Sequence, residues 1–400
     1  MDLTTGYPYW LIKNGLPVNY PQLNTSLKTE VAIIGGGISG ALTGYFLSKA
    51  GIDCVIVDGR TIGLGSTCAS TSLLQYELDK PLSELAGQIG LPNAVKAYRL
   101  CSEALETLKE ISEKLKFRQF EKRKSLYFAA FQKDKKLIES EFSFRKKAGF
   151  EVSLLKKEEI RKRFGFYAPS AILSEQGATM DVYMFTHALH KASKSKGLKI
   201  FDRTFVSKID YQKNGVKITT DKNFIIRAKK VVNASGYELK EFIDKKIVSL
   251  HSTYALASAQ IQQPNPIWKE SVMIWNTANP YLYMRLTNDN RVIIGGRDEE
   301  FYSPGKRDTL IKRKTAQLRN DFLKLFPGIE LIPEFSWAGT FGSTVDSLPY
   351  IGAYHKTPHT YYALGYGGNG ITFSIIAAGI IRDIFTGRKN SSASLFSFTR

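Results

Sequence analysis

Between Glu30 and Arg60 the chain reads EVAIIGGGISGALTGYFLSKAGIDCVIVDGR, and no other stretch restricts the fold as strongly. Val31 to Ile34 is a short apolar run suited to a buried parallel strand. Gly35, Gly37 and Gly40 follow with G-x-G-x-x-G spacing. Ile38 to Ala50 then reads as a helix stopped by Gly51, and Cys54 to Val57 reads as a second apolar strand closed by Asp58. Glycines at these positions permit a tight turn, backbone approach to a pyrophosphate and close helix–strand packing. The helix N-terminus adds N–H donors and positive dipole. Asp58 stands where a carboxylate accepts hydrogen bonds from a ribose. Strand, turn, helix, strand and acid together point to a dinucleotide, with NAD and FAD both open at this stage.

Composition narrows the class. Hydrophobic residues make up 43% of the 400 and charged residues 23%, as in ordinary globular proteins of about two lobes. Lys+Arg 56 against Asp+Glu 37 gives +19, a charge that favours acidic partners. The lysines are scattered, as solvated helix faces are, which weighs against nucleic acid. The three cysteines, Cys54, Cys68 and Cys101, form no C-x-x-C pair, and a reducing compartment fits. MDLTTGYPYW lacks a basic n-region followed by an apolar h-region, and no apolar run approaches bilayer-spanning length. A cytoplasmic protein is expected, with peripheral membrane contact left open and no metal cluster among five histidines.

Residues 1–29 read as an extended arm on the body, with Trp10 packing. Gly63, Gly65, Ser66, Thr67, Ser70 and Thr71 form a loop-to-helix segment of small hydroxyl residues, and Ser66 or Thr67 caps the helix. Helices are expected over 92–116, 135–149, 157–164, 183–197 and 306–326. The 183–197 helix is expected to follow a turn beginning at Gly177. Strands are expected at 125–131, 198–201, 205–211, 216–220 and 231–232, with a hairpin at Asn214-Gly215. Tyr281 to Leu286 and Val292 to Gly295 flank the turn Asn288-Asp289-Asn290 as an antiparallel hairpin. At the other end, Thr360 to Leu364 is a strand and Gly365, Gly367, Gly368 and Gly370 form a second glycine-rich turn. The apolar helix Ile371 to Phe385 follows, ended by Gly387. Two such units at opposite ends of one chain are most simply placed on one sheet, facing one extended ligand.

These residues resemble the FAD-dependent D-amino acid oxidase superfamily, whose members include glycine oxidase and sarcosine oxidase. The resemblance runs from Glu30 to Gly387 and rests on VAIIGGGISG…VIVD, GSTCASTSLLQYE, FVSKID…VVNASG and TVDSLPYIG…GYGGNGITFS. It implies an α/β chain: a Rossmann-type FAD-binding domain (30–79, 166–244 and 334–400) and a discontinuous α+β substrate domain built on an antiparallel sheet (80–165 and 245–333). It implies that Gly35, Gly37, Ile38, Ser39 and Gly40 surround the FAD pyrophosphate, and that Asp58, Gly59 and Arg60 lie at the adenosine ribose. Gly65, Ser66, Thr67, Ser70 and Thr71 would lie near pyrophosphate and flavin. Val206 would meet adenine through its backbone, and Ala234 and Gly236 would line the nucleotide. Gly367, Gly368, Asn369, Gly370, Ile371 and Thr372 would lie at the isoalloxazine and ribityl chain, positioned by Thr344 and Asp346.

Two departures matter. Monomeric sarcosine oxidases attach flavin through a cysteine just before the motif held here by Thr344-Val345-Asp346, and no cysteine follows Cys101, so noncovalent FAD is expected. Those oxidases also carry an oxygen-activating lysine where Thr372 stands here. That keeps a dehydrogenase passing electrons to a quinone or carrier open beside an oxidase using O2. The implied chemistry is oxidation of the C–N bond of an amino acid or secondary amine. Hydride passes to flavin N5 and the imine is hydrolysed. A substrate carboxylate would call for a cation. Strand alternation puts Tyr281, Tyr283 and Arg285 on one face, with Arg285 the first candidate and Arg297 the second. His251 and Tyr254 are further pocket candidates. Competing readings are a flavin-dependent tRNA-modifying enzyme and a flavin-binding interaction protein without turnover.

Overall fold

The computed structural model describes residues 1–238, 243, 247–261, 270, 272–364 and 366–400; Gly365 of the second glycine-rich turn lies outside the described residues. An eight-stranded sheet is built around Leu27–Ile34, whose last four residues are buried as their unbroken apolar run demands. Cys54–Val57 lies parallel on one side, with Ala32 opposite Val55. Ile225–Asn233 lies parallel on the other, with Ala32 opposite Val231. Thr360–Leu364 joins the outer edge of Ile225–Asn233, also in parallel. The carboxyl ends of Leu27–Ile34 and Thr360–Leu364 therefore lie in one sheet and point the same way. Each feeds a helix, Ile38–Lys49 and Gly370–Phe385. The two helices pack on each other, and Ser39 Oγ lies 2.8 Å from Ser374 Oγ between them.

The second sheet has nine strands, in the order Thr4–Gly6, Pro333–Ser343, Ser249–Ser258, Val292–Glu299, Tyr283–Leu286, Val272–Asn276, Lys124–Phe128, Ser170–Ser174 and Val152–Lys156. Its one parallel contact joins Val272–Asn276 to Lys124–Phe128. Helix Ile311–Leu325 covers one face through Leu318 and Phe322, which pack with Tyr254, Leu256, Met284 and Ile294. A small antiparallel sheet, Leu73–Gln75, Gly177–Met180 and Phe120–Lys122, completes the β structure among the described residues.

Several expectations change. Sheet membership does not follow the boundaries at 166 and 334. Ser170–Ser174 pairs with Lys124–Phe128 and Val152–Lys156, and Pro333–Ser343 pairs with Ser249–Ser258. These partners are remote in sequence, so local pattern could not assign them. The arm is not wholly extended. Thr4–Gly6 adds an edge strand and Tyr9–Asn14 is a short helix that buries Trp10. Gly177–Met180 is a strand where a turn was expected, because both its edges find partners. The helix expected over 306–326 breaks at Leu310. Thr309 Oγ1 donates to Lys306 O at 2.8 Å, and Leu310 N donates to Arg307 O instead of continuing the ladder. Finally, Gly367–Phe385, at 19 residues, is long and apolar enough by length and composition to cross a membrane. Here its apolar faces are taken up by Ile38–Lys49 and Leu91–Lys114.

A buried ion cluster fixes the 77–83 segment, to which the second turn is hydrogen-bonded. Arg145 Nε donates to Glu141 Oε1 at 2.7 Å, and Nη1 lies 3.3 Å from Glu77 Oε1. Glu141 also accepts from Leu82 N and Ser83 N at the start of helix Leu82–Ile89. All three charges are buried, so removing one partner should cost about 3–5 kcal/mol.

Candidate active site

The two carboxyl ends open into one cavity of about 620 Å³ between the sheets. Gly35, Gly37, Ile38 and Ser39 line it from the first turn, which takes a left-handed Gly35 at φ +104°. Gly40 does not line it; it lies beneath, where a Cβ would sit 1.8 Å from Gly35 O. The turn is thus closed by backbone contact that only glycine allows. Asp58 Oδ2 accepts from Gly36 N at 2.7 Å and Oδ1 from Arg60 N at 2.8 Å, so the carboxylate is locked at the cavity edge. Burial pushes its carboxyl up, while these N–H groups and the Arg60 charge pull against that. Gly59, Arg60 and Val206 line the same region, as do Ala234 and Gly236. Arg60 is not free: its guanidinium is paired with Glu238.

The small-residue segment forms a floor. Helix Ser66–Ala69 begins after Gly65, so neither Ser66 nor Thr67 caps it. Thr67 Oγ1 instead accepts from Ile38 N at 3.1 Å, serving the first turn of the dinucleotide helix. Gly65, Ser66, Thr67, Ser70 and Thr71 all line the cavity. Two indoles clamp the segment from behind: Trp10 Nε1 donates to Ser70 O at 2.7 Å and Trp337 Nε1 to Ala69 O at 2.8 Å.

Gly367 to Thr372 line the far side. Asn369 Nδ2 donates to Glu77 O at 2.8 Å and Gln75 O at 3.2 Å. Gly368 N donates to Asp79 Oδ2 at 2.9 Å, and Tyr281 O–H to Asp79 Oδ1 at 3.0 Å. Thr372 Oγ1 turns back to Asn369 O at 2.9 Å. Thr344 and Asp346 lie outside the cavity lining. They form a turn in which Asp346 accepts from Leu348 N at 3.1 Å and pairs with Arg400 at 2.8 Å.

The nine-stranded sheet supplies the remaining wall, and here the expectations divide. Tyr281, Tyr283 and Tyr254 line the cavity; Arg285 and His251 do not. Arg285 shares the face of Tyr283 but lies past the end of the cavity, stacked over the Trp10 ring at 5.3 Å. Its Nε donates to Thr71 O at 2.8 Å, and burial pulls its pKa down to about 10. The arginine braces the back of the floor. Arg297 points away, donating from Nε to Asp321 Oδ2 at 2.6 Å. Residues not singled out in the sequence stand where these cations were expected: Thr253, Asp298, Phe341 and Tyr237. Strand register places Thr253 and Asp298, and local sequence pattern carries no signal of it. Tyr283 pairs with Gly295, whose missing side chain makes room for the ring, and Asp298 follows three residues later.

FAD fits this donor set. A helix N-terminus and a glycine cradle face the cavity, a locked carboxylate stands at its edge, and the lining hydroxyls Ser66 Oγ and Ser72 Oγ are buried without a partner in the protein. A glycine oxidase from Geobacillus kaustophilus is 26% identical over 388 residues, covering 93% of this chain and 97% of its own. The gamma-glutamylputrescine oxidoreductase of Escherichia coli is 20% identical over 376 residues, covering 92% and 86%. The crystal structure of L-proline dehydrogenase from P. horikoshii superimposes with a TM-score of 0.79 at 21% identity, over 93% of this chain and 97% of that one. Residues 30–384 match the family model for FAD dependent oxidoreductases, DAO. With nearly the whole chain so matched and its two glycine turns facing one cavity, the protein belongs to the DAO family of FAD dependent oxidoreductases.

Proposed function

We propose that this oxidoreductase acts on a small amine, oxidising its C–N bond to an imine that water hydrolyses. The observation that carries the reading is the meeting of both glycine turns with the Thr253–Tyr283–Asp298 wall in one cavity, where a cofactor and a small substrate would lie side by side. The names of the relatives, glycine oxidase and gamma-glutamylputrescine oxidoreductase, support amino acid or amine donors. Bound FAD supplies the two-electron acceptor. The chain's own residues bind, orient and exclude water. Gly37 and the N-terminus of helix Ile38–Lys49 would hold the diphosphate by backbone, and Asp58 would hold the ribose. The Gly367–Gly370 turn, tied down by Asp79 and Glu77, sets the reactive end. Tyr281 and Tyr283 wall the substrate space, and burial raises both phenols, so they remain protonated donors across the working pH range. No cysteine is among the described residues lining the cavity, which supports noncovalent attachment.

A dehydrogenase reading is favoured by one observation: Thr372 stands at the position of the oxygen-activating lysine, its hydroxyl committed to Asn369 O. Purified holoenzyme should show flavin absorbance that bleaches anaerobically with an amine panel. Slow reoxidation in air with fast reoxidation by a quinone supports the dehydrogenase, and rapid peroxide release supports the oxidase. A flavin that dithionite bleaches and no amine does would end the amine reading.

A further inference from the structure

The substrate-side wall carries an acid where an amino acid oxidant would need a base. Strands Ser249–Ser258 and Val292–Glu299 slip register at one place, with Ser252 opposite Glu299 and Tyr254 opposite Gly296. Thr253 therefore faces two residues, Arg297 and Asp298, across a bulge, and Arg297 takes a left-handed φ of +60°. Such bulges re-aim side chains. This one sends Arg297 outward to Asp321 and turns Asp298 into the cavity. Asp298 Oδ1 is buried and has no hydrogen-bond partner in the protein.

The neighbouring cations Lys314, Arg307 and Arg285 lie outside the cavity lining and each is tied to other protein groups, although Arg285 Nη2 and Arg307 Nη2 keep no hydrogen-bond partner. Lys314 Nζ donates to Arg297 O at 2.7 Å and pairs with Glu299 at 2.6 Å. Arg307 is held by Asp2 O at 3.1 Å, Thr340 Oγ1 at 3.2 Å and Asp308 at 2.9 Å. Arg285 braces Thr71. Among the described residues lining the cavity, Arg60 is the one cationic side chain, and it is paired with Glu238 beside Asp58. A substrate carboxylate at this wall would meet Asp298 and phenols. A substrate ammonium would meet a carboxylate with Thr253 as a hydrogen-bond donor but no cation beside it and one buried oxygen, Oδ1, without a partner, whose desolvation such a partner offsets.

We propose that Asp298 receives the ammonium group of the substrate, taking up one of its protons so that the reacting nitrogen is neutral when the α-C–H bond breaks, and that the site selects cationic amines with no carboxylate beside the reacting carbon, such as alkylamines and diamines. This rests on the amine-oxidising reading of the cavity. Burial raises the Asp298 carboxyl to about 6, with Asp79 adding to the rise and Thr253 and Lys314 opposing it, so the group is a carboxylate at neutral pH.

The test uses holoenzyme and anaerobic flavin bleaching with two sets of compounds: n-butylamine, N-methylbutylamine and putrescine against glycine, sarcosine, D-alanine and L-proline. The amines should bleach the flavin with saturation, and the amino acids should not. Asp298→Asn should raise the half-saturating amine concentration at least ten-fold with FAD absorbance and Tm retained, and Asp298→Glu should keep the preference for cations. Should either variant fold poorly, wild-type competition decides: an alkylammonium that is not oxidised, such as tert-butylammonium, should compete, and propionate should not. Bleaching by the amino acids alone, competition by propionate alone, or an Asp298→Asn enzyme with unchanged half-saturation overturns the proposal and leaves amine oxidation standing. Failure of both sets with a dithionite-reducible flavin removes amine oxidation itself, and this inference with it.

Discussion

The dinucleotide end and the substrate wall of this cavity are built by opposite means. At the first, backbone does the work: Gly35 in a left-handed turn, Gly40 in contact with Gly35 O, and Asp58 held by two N–H groups. At the second, side chains from strands far apart in sequence converge: Thr253, Tyr283, Asp298 and Phe341. A backbone site tolerates almost any neighbours but no added Cβ. A side-chain site accepts backbone-neutral changes yet is retuned by any of them.

The hardest way to break that contrast is Gly40→Val. With a Cβ already 1.8 Å from Gly35 O, the helix must lift off the strand. The variant should lose FAD affinity by more than a hundred-fold and emerge without yellow colour. Full flavin content after purification would mean that the turn yields, and that backbone closure does not define this end. The wild-type turn should also be the acid-sensitive part. His190 Nε2 lies 2.8 Å from Gly36 O, and His187 Nδ1 lies 3.0 Å from Tyr20 O–H. His187 is also packed edge-on to Tyr183. Burial depresses both imidazoles to about 4 from an ordinary 6.5. The sign follows: above 6.5 neither state binds the proton, and between 6.5 and 4 only the unfolded chain does. Stability is therefore complete above 6.5 and lost as pH falls toward 4, at up to roughly 1.4 kcal/mol per pH unit for each imidazole. Chemical denaturation between pH 7 and 4 measures this. Replacing both histidines by Gln should flatten the slope, and an unaltered slope would place the acid sensitivity elsewhere.

The smallest effect belongs to the wall. In Gly295→Ala the new methyl would lie 2.4 Å from the Tyr283 ring, and the ring must swing. FAD absorbance and Tm should hold while KM for an amine shifts about ten-fold, an energy of ~1.4 kcal/mol. Loss of FAD together with the KM change would show that the two ends are not separable.

Legibility in the sequence tracks the same difference. Cys54–Val57 and Thr360–Leu364 fall where apolar runs place them, and helix Ile38–Lys49 ends within a residue of expectation. The second glycine turn was visible because close backbone approach needs glycine at fixed spacing. Arg285 shows the other case. Alternation correctly gave it the face of Tyr283, but where that face leaves the cavity depends on Trp10, a residue 275 positions earlier that covers the end of the strand. Asp298 was invisible for a related reason. Its direction comes from a bulge against Thr253, and a register slip between strands some forty residues apart leaves no periodic trace.

What the sequence determined by itself is the nucleotide half of the protein: two strand–turn–helix units, the acid after the second strand, and through their resemblance a flavin. Short-range sterics dictate these, and sterics are written residue by residue. The tertiary structure alone decided which charge of the nine-stranded sheet faces the cavity. That is set by long-range pairing, which sent Arg285 behind the floor, Arg297 out to Asp321 and Asp298 inward.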